Sequence, residues 1–116
     1  MTQTQTYLME NSDEEKRLDI KTDPDAVKEQ ALWFGMGPGA RVLDIGCGPG
    51  KTTALLHDIV HPDGEAVGVD IAESRILHAR SFYGDRKRIR FDVRDVRLPM
   101  EDLGEFDFIW VRFVLE

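Results

Sequence analysis

The chain has 116 residues, enough for one domain, with 41% hydrophobic and 32% charged residues and a formal net charge of -7. That acidic balance argues against broad, salt-driven binding to nucleic acid. No apolar run reaches the roughly 18 residues of a membrane-spanning helix, and the single cysteine, Cys47, excludes an internal disulfide and a cysteine-rich metal site.

The first residues, "MTQTQTYLMENSDEEKR", have neither a basic start nor an apolar core, so no secretion leader is read and a cytoplasmic protein is expected. Ser12 followed by Glu15 is a capping-box pattern and predicts a helix start. A second start follows in "TDPDAVKEQALWF", where Asp23 can cap and Pro24 suits the first helical position. Val27, Ala31, Leu32 and Phe34 give that helix an apolar face, and the glycines and proline of "GMGPGA" end it. From Arg41 the pattern changes to short apolar strands alternating with helical segments: "RVLDI", "KTTALLHDIV", "AVGVDI", "AESRILHARSFY", "RIRFDV" and "FDFIWVRFVL". This order, β-α-β-α-β-x-β, predicts a parallel, doubly wound α/β sheet with right-handed crossovers and both faces covered. Trp33 and Trp110 are expected in the core, and His57, His61 and His78 at the surface or at helix ends. The window Arg75–Arg97 holds Arg75, Arg80, Arg86, Lys87, Arg88, Arg90, Arg94 and Arg97. It reads first as a solvated helix end and loop, and second as a patch for an anionic partner.

The chemistry is concentrated in "VLDIGCGPGKTT". A phosphate-binding P-loop, Gly-x-x-x-x-Gly-Lys-Ser/Thr, would need glycine at position 45, which is Ile45. A dinucleotide fingerprint, Gly-x-Gly-x-x-Gly, would need glycine at position 51 or 53; those are Lys51 and Thr53. The loop instead carries Gly46, Gly48 and Gly50 behind an acid, Asp44, at a strand end. In a doubly wound sheet that end is the ligand crevice. Asp70 ends the second strand, where an acid accepts from ribose hydroxyls. Asp95 follows the third strand, where an acid can accept from an exocyclic amine; Asp92 is its rival for that role. Three acids at successive strand ends beside a glycine loop describe a pocket for a cationic adenosine derivative. Asp44 has a second reading, as a cap for the following turn.

The motifs "VLDIGCGPG", "AVGVDI", "RDVRLP" and "FDFIWVRFVLE" resemble, in order and spacing, the first four motifs of class I S-adenosylmethionine-dependent methyltransferases, from about Met36 to Glu116. The resemblance implies a Rossmann-like α/β domain over residues 36–116 behind a helical cap segment over residues 1–35. It implies that Gly46, Cys47, Gly48 and Gly50 lie under the methionyl part of S-adenosyl-L-methionine, with Asp44 shaping the loop and its amino-group contacts. Asp70 would bind the ribose and Ile71 would pack on the adenine. Asp95 would accept from the adenine amine, with Val96 beside the ring. Val111, Arg112 and Phe113 would lie near the sulfonium, and Tyr7 or Arg17 would reach the cofactor carboxylate. The implied reaction is in-line methyl transfer, to a small-molecule acceptor by default, with no protein nucleophile, no identifiable general base and no metal. The alternative is a module that binds S-adenosylmethionine without transferring the methyl, and a third reading is another nucleotide-binding α/β domain. Members of this class usually continue with three more strands, so a fragment is suspected. The apolar fourth strand is then expected to be an open edge through which two chains could pair.

Overall fold

The computed structural model describes residues 23–111. The first expected helix start, at Ser12, lies outside them. Helix α1 (Pro24–Trp33) begins as its sequence dictates: the Asp23 carboxylate accepts from the Asp25 amide at 3.0 Å and the Ala26 amide at 3.4 Å, with proline at the first position. Strand β1 (Arg41–Ile45), helix α2 (Lys51–Val60), β2 (Glu65–Asp70), helix α3 (Glu73–Tyr83), β3 (Ile89–Val93), a 3₁₀ turn (Glu101–Leu103) and β4 (Phe108–Val111) follow. All pairings are parallel, in the order β3-β2-β1-β4. The fold is the expected Rossmann-like α/β sheet.

Strand alternation sorts the core into two clusters. Val42, Ala66, Ile89 and Phe91 face the helices and pack with Ala31, Leu56, Val60, Ile76 and Ala79. Leu43, Val67 and Val69 face the other way and meet only Leu103, Met100 and Phe106 from the segment around the 3₁₀ turn, with Ile45 beside them. Both faces are covered, as expected, but not both by helices: among the described residues all three helices share one face and the segment around the 3₁₀ turn covers the other. Consecutive crossovers on one side of a strand order that runs in a single direction, β1 to β2 to β3, must stack on the same face.

Arg41 secures the covering segment of the second face. Its guanidinium donates to Glu65 at 2.6 Å, to the Glu105 carbonyl at 2.7 Å and to the Leu103 carbonyl at 2.7 Å, and lies 4.3 Å from the Phe106 ring centre. The Asp107 amide donates to the Arg41 carbonyl at 2.8 Å, which sets β4 alongside β1.

One placement differs from expectation and another meets it only in part. Trp33 is 84% exposed rather than in the core, because it closes α1 on the side away from Val27 and Ala31. Trp110 does pack against the helix-side cluster. His57 sits in the last turn of α2, as its helix-end reading has it, and is buried rather than at the surface, with Nε2 2.7 Å from the Lys87 carbonyl. It lies one turn beyond Thr53, on the stripe of α2 that also carries Val60.

Gly50 is a tight point of the fold, held against side chains of α3 and β3. Its φ is +99°, and a Cβ there would lie 2.8 Å from Ala79 Cβ and 3.1 Å from both Phe91 and Tyr83. Gly50→Ala therefore combines left-handed strain with a clash between α2 and α3. It should lower unfolding stability by about 2–5 kcal/mol, read as a fall in the urea midpoint; a midpoint like the parent's would refute this packing.

Candidate functional site

The carboxyl ends of β1, β2 and β3 lie side by side, and the loop from Gly46 to Gly50 crosses them. The amides of Gly46 and Cys47 both donate to the Val69 carbonyl at 2.9 Å, so the loop is tied to β2 as soon as β1 ends. Gly46, Gly48 and Gly50 all have positive φ, at 76°, 58° and 99°. The roles of the last two differ. A Cβ at Gly50 would collide with the core, whereas one at Gly48 would meet no heavy atom within 4 Å. Gly48 is itself buried, yet it borders unfilled space on the side where a Cβ would sit. Cys47 is fully buried in the helix-side core.

Asp70 ends β2 only 3% exposed. Its Oδ2 accepts from the Gly48 amide and its Oδ1 from the Ala72 amide, both at 2.9 Å, and Arg75 Nη1 lies 3.7 Å from Oδ1. An ionised carboxylate accepts such bonds more strongly than a neutral group does. It also has about four acceptor positions, so the two amides leave room for one more donor on each oxygen. Asp44 is fully buried beneath the loop, where Thr53 Oγ1 donates to its Oδ2 at 2.6 Å. This pins the first turn of α2 to β1. Gly68, opposite Asp44 in register, makes the bond possible: a Cβ there would sit 2.8 Å from Thr53 Oγ1 and 3.0 Å from Cys47 Sγ.

The Arg94 amide donates to the Asp70 carbonyl at 3.0 Å and carries the chain from β3 past the end of β2 to Asp95. Asp95 is held by a single residue. Its Oδ1 accepts from the Arg97 amide at 3.0 Å and Nε at 2.9 Å, and its Oδ2 accepts from Nη2 at 2.7 Å. These bonds hold the Asp95 carboxyl down at about 2, against an ordinary 3.8. The rival, Asp92, lies within β3 among Arg90 at 2.8 Å, Arg80 at 3.6 Å and Arg94 at 3.7 Å. Ile71 (62% exposed), Val96 and Leu98 give the rim around Asp70 and Asp95 exposed apolar side chains. Val111 is exposed at the end of β4; Arg112, Phe113, Tyr7 and Arg17 lie outside the described residues.

The structure thus brings Gly46, Cys47, Gly48, Gly50, Asp70, Ile71, Asp95 and Val96 to one end of the sheet and places Asp44 directly under their loop. Sequence reasoning passed over Thr53, Gly68, Arg75 and Arg97. Only Gly68 had a local signal, a glycine inside an apolar strand. The basic window is largely neutralised by nearby acids. Arg86 meets Asp58 at 3.0 Å, Arg94 meets Asp102 at 2.6 Å, and the remaining pairs are those of Asp70, Asp92 and Asp95.

A parallel sheet with a glycine loop and acids at its strand ends defines a nucleoside-binding α/β domain. A family model described as a methyltransferase domain matches residues 42–116, and the chain belongs to that family. It is 30% identical over 83 residues to a demethylmenaquinone methyltransferase of Staphylococcus aureus, covering 71% of this chain and 34% of that protein. Among solved structures it resembles the fibrillarin of Aeropyrum pernix, in complex with natively bound S-adenosyl-L-methionine. The TM-score is 0.63 at 27% identity, over 73% of this chain and 40% of that one. A SAM-dependent methyltransferase from Aquifex aeolicus shares the fold with a TM-score of 0.60 at 24% identity, over 78% of this chain and 57% of that one. The chain spans about a third or less of the length of the first curated relatives it matches.

Because Asp95 is bound in the folded state, its titration reports the site. Its folded value is depressed, so its contribution is present above pH 3.8 and is lost as pH falls towards about 2. Carbon-detected NMR of the Asp95 carboxyl should titrate with a midpoint near 2, and Arg97→Ala should return it towards 3.8. A parent midpoint already near the ordinary value would remove the Arg97 bonds from the description.

Proposed function

We propose that this chain binds S-adenosyl-L-methionine across the ends of β1, β2 and β3 and serves methyl transfer to a small-molecule acceptor by in-line displacement. The observation that carries the reading is the Asp70 carboxylate. Its bonds to the Gly48 amide of the loop and to the Ala72 amide just beyond β2 leave one acceptor position on each oxygen, matching the paired donors of a ribose diol. The open side of Gly48 supports the fit, because it leaves a seat beside bare backbone that a side chain would fill. Ile71 and Val96 supply apolar surface for an adenine ring, and Asp95 supplies an acceptor for its amine. Gly46 and Cys47 fix the floor of the seat through the Val69 carbonyl. Asp44 acts one layer below, holding α2 and the loop in place through Thr53.

Bound there, the cofactor would supply a methyl group already activated on a cationic sulfur, so the protein's share is position and electrostatics. No side chain here is assigned as nucleophile or general base. The preference for a small-molecule acceptor is supported by the likeness to a demethylmenaquinone methyltransferase. Likenesses to a protein-L-isoaspartate O-methyltransferase and to fibrillarin make a macromolecular acceptor the competing outcome.

Calorimetric titration with S-adenosylhomocysteine, beside NADH and ATP, tests the binding. Only S-adenosylhomocysteine should bind. Gly48→Ala, which meets no neighbour, should stay folded at a cost of about 1–2 kcal/mol and bind at least tenfold more weakly, about 1.4 kcal/mol. Binding of NADH instead, or parent-like affinity in Gly48→Ala, would refute this seat.

We also propose self-association through β4. The two edges of the sheet differ. At β3, Arg80 donates to the Phe91 carbonyl at 2.9 and 2.7 Å, and Arg90 and Asp92 add charge, which blunts that edge. At β4 the described residues leave a groove of about 380 Å³ lined by Gln30, Phe34, Met36 and all four strand residues, with Ile109 61% exposed. Sedimentation should show dimers that Ile109→Lys dissolves. A parent chain that stays monomeric at every concentration would sink the idea.

A further inference from the structure

Among the described residues the Asp95 carboxylate is reached by three donors, and all three belong to Arg97. Two of them, the backbone amide and Nε, share Oδ1; the third, Nη2, is on Oδ2. A carboxylate has about four acceptor positions, two on each oxygen. Oδ1 is therefore filled, and the one remaining position is on Oδ2. Arg97 is itself 79% exposed in its side chain and Asp95 24%, so the pair adds little to stability. Its effect is geometric. The donors come from two residues away in a turn closed by the Leu98 amide on the Asp95 carbonyl at 2.9 Å, so little chain entropy is lost in forming it.

Resting on the cofactor reading above, we infer that Arg97 is a positioning residue that makes Asp95 selective for a neutral amino group at the adenine end of the ligand. Two features of the pair produce that choice. The single free position demands a donor arriving on Oδ2, so a carbonyl oxygen in the same place meets an acceptor and is rejected. The guanidinium already offsets the charge of the carboxylate, so a cation gains much less there than it would from a bare carboxylate, while a neutral amine, bound through a hydrogen bond alone, loses less. Without Arg97 the carboxylate would rotate, expose every acceptor position to solvent and tolerate a water between itself and a 6-oxo ring.

The test is the ratio of affinities for S-adenosylhomocysteine and S-inosylhomocysteine, its 6-oxo analogue, in the parent, Arg97→Ala, Arg97→Lys and Asp95→Asn. A ratio is insensitive to a general loss of stability, which would weaken both ligands alike. The parent should prefer the amino ligand at least tenfold. Arg97→Ala should cut that preference at least threefold, and Arg97→Lys, which keeps the charge but lacks the fork, should restore only part of it. Asp95→Asn, whose amide can donate to a 6-oxo group, should lower the preference further. A parent-like ratio in Arg97→Ala, with Asp95→Asn altered, overturns the role of Arg97 alone. A parent-like ratio in both variants overturns the adenine-end assignment as well. Failure of the parent to bind S-adenosylhomocysteine overturns the cofactor reading from which both follow.

Discussion

The fold depends on one short connection. Within the five residues Gly46–Gly50 the chain must leave β1, reverse and begin a helix that packs back on the same sheet. The Gly46 and Cys47 amides at the start of that loop bond to Val69 at the end of β2, so the shape of the loop is tied to the β1–β2 pairing. Three positive φ values follow from the sharpness of the turn, and glycine is the residue that adopts them at little cost. The same feature that lets the chain turn also strips its surface of side chains. Gly50 spends that freedom inward, on contact with α3 and Phe91, and Gly48 spends it outward. A seat beside bare backbone is thus a by-product of the turn.

Acids are the second theme. An acidic protein has gathered carboxylates at one end of a sheet, and their mutual repulsion is relieved one by one by arginines. Arg75 stands by Asp70, Arg97 holds Asp95, Arg94 bridges to Asp102, and Arg80, Arg90 and Arg94 surround Asp92. The basic window seen in the sequence is the other half of this arrangement. Most of its arginines are used locally, in ion pairs with these acids.

The succession of strands and helices along the chain, their parallel pairing, the α1 cap and the glycine loop were legible because each rests on local chemistry: alternation, capping by Asp23, and breakers at Gly35 to Ala40. What escaped was set by distant partners. His57 was read as a surface or helix-end residue; it is in the last turn of α2, but on the stripe with Thr53 and Val60 that packs inward, and its partner is the carbonyl of Lys87, thirty residues on. Trp33 was read as core for its size, but it ends a helix whose buried side passes through Ala31. The covering of both sheet faces was inferred from the alternation of strands and helices, which fixes parallel pairing but not the side on which each crossover lies; strand order decides that. Asp95 was found from its place after a strand, whereas Arg97 needed the turn geometry that folds it back.

Asp70 joins these threads and limits how they can be separated. Its carboxylate is an acceptor for the Gly48 amide, so it is part of the loop's own fold, and the same group is the proposed acceptor for a ligand. If ligand donors had to displace those amides, binding would cost the bonds that shape the seat. They do not have to, because each oxygen retains an acceptor position. The carboxylate can therefore be held in place by the protein and still be used by a ligand, which is the condition for a preorganised site. Removing the carboxylate would strip two amides of their acceptor as well as removing a ligand contact, so a loss of binding in such a variant would mix two causes. Gly48, whose only protein tie here is through its backbone, changes the seat and leaves the clasp in place.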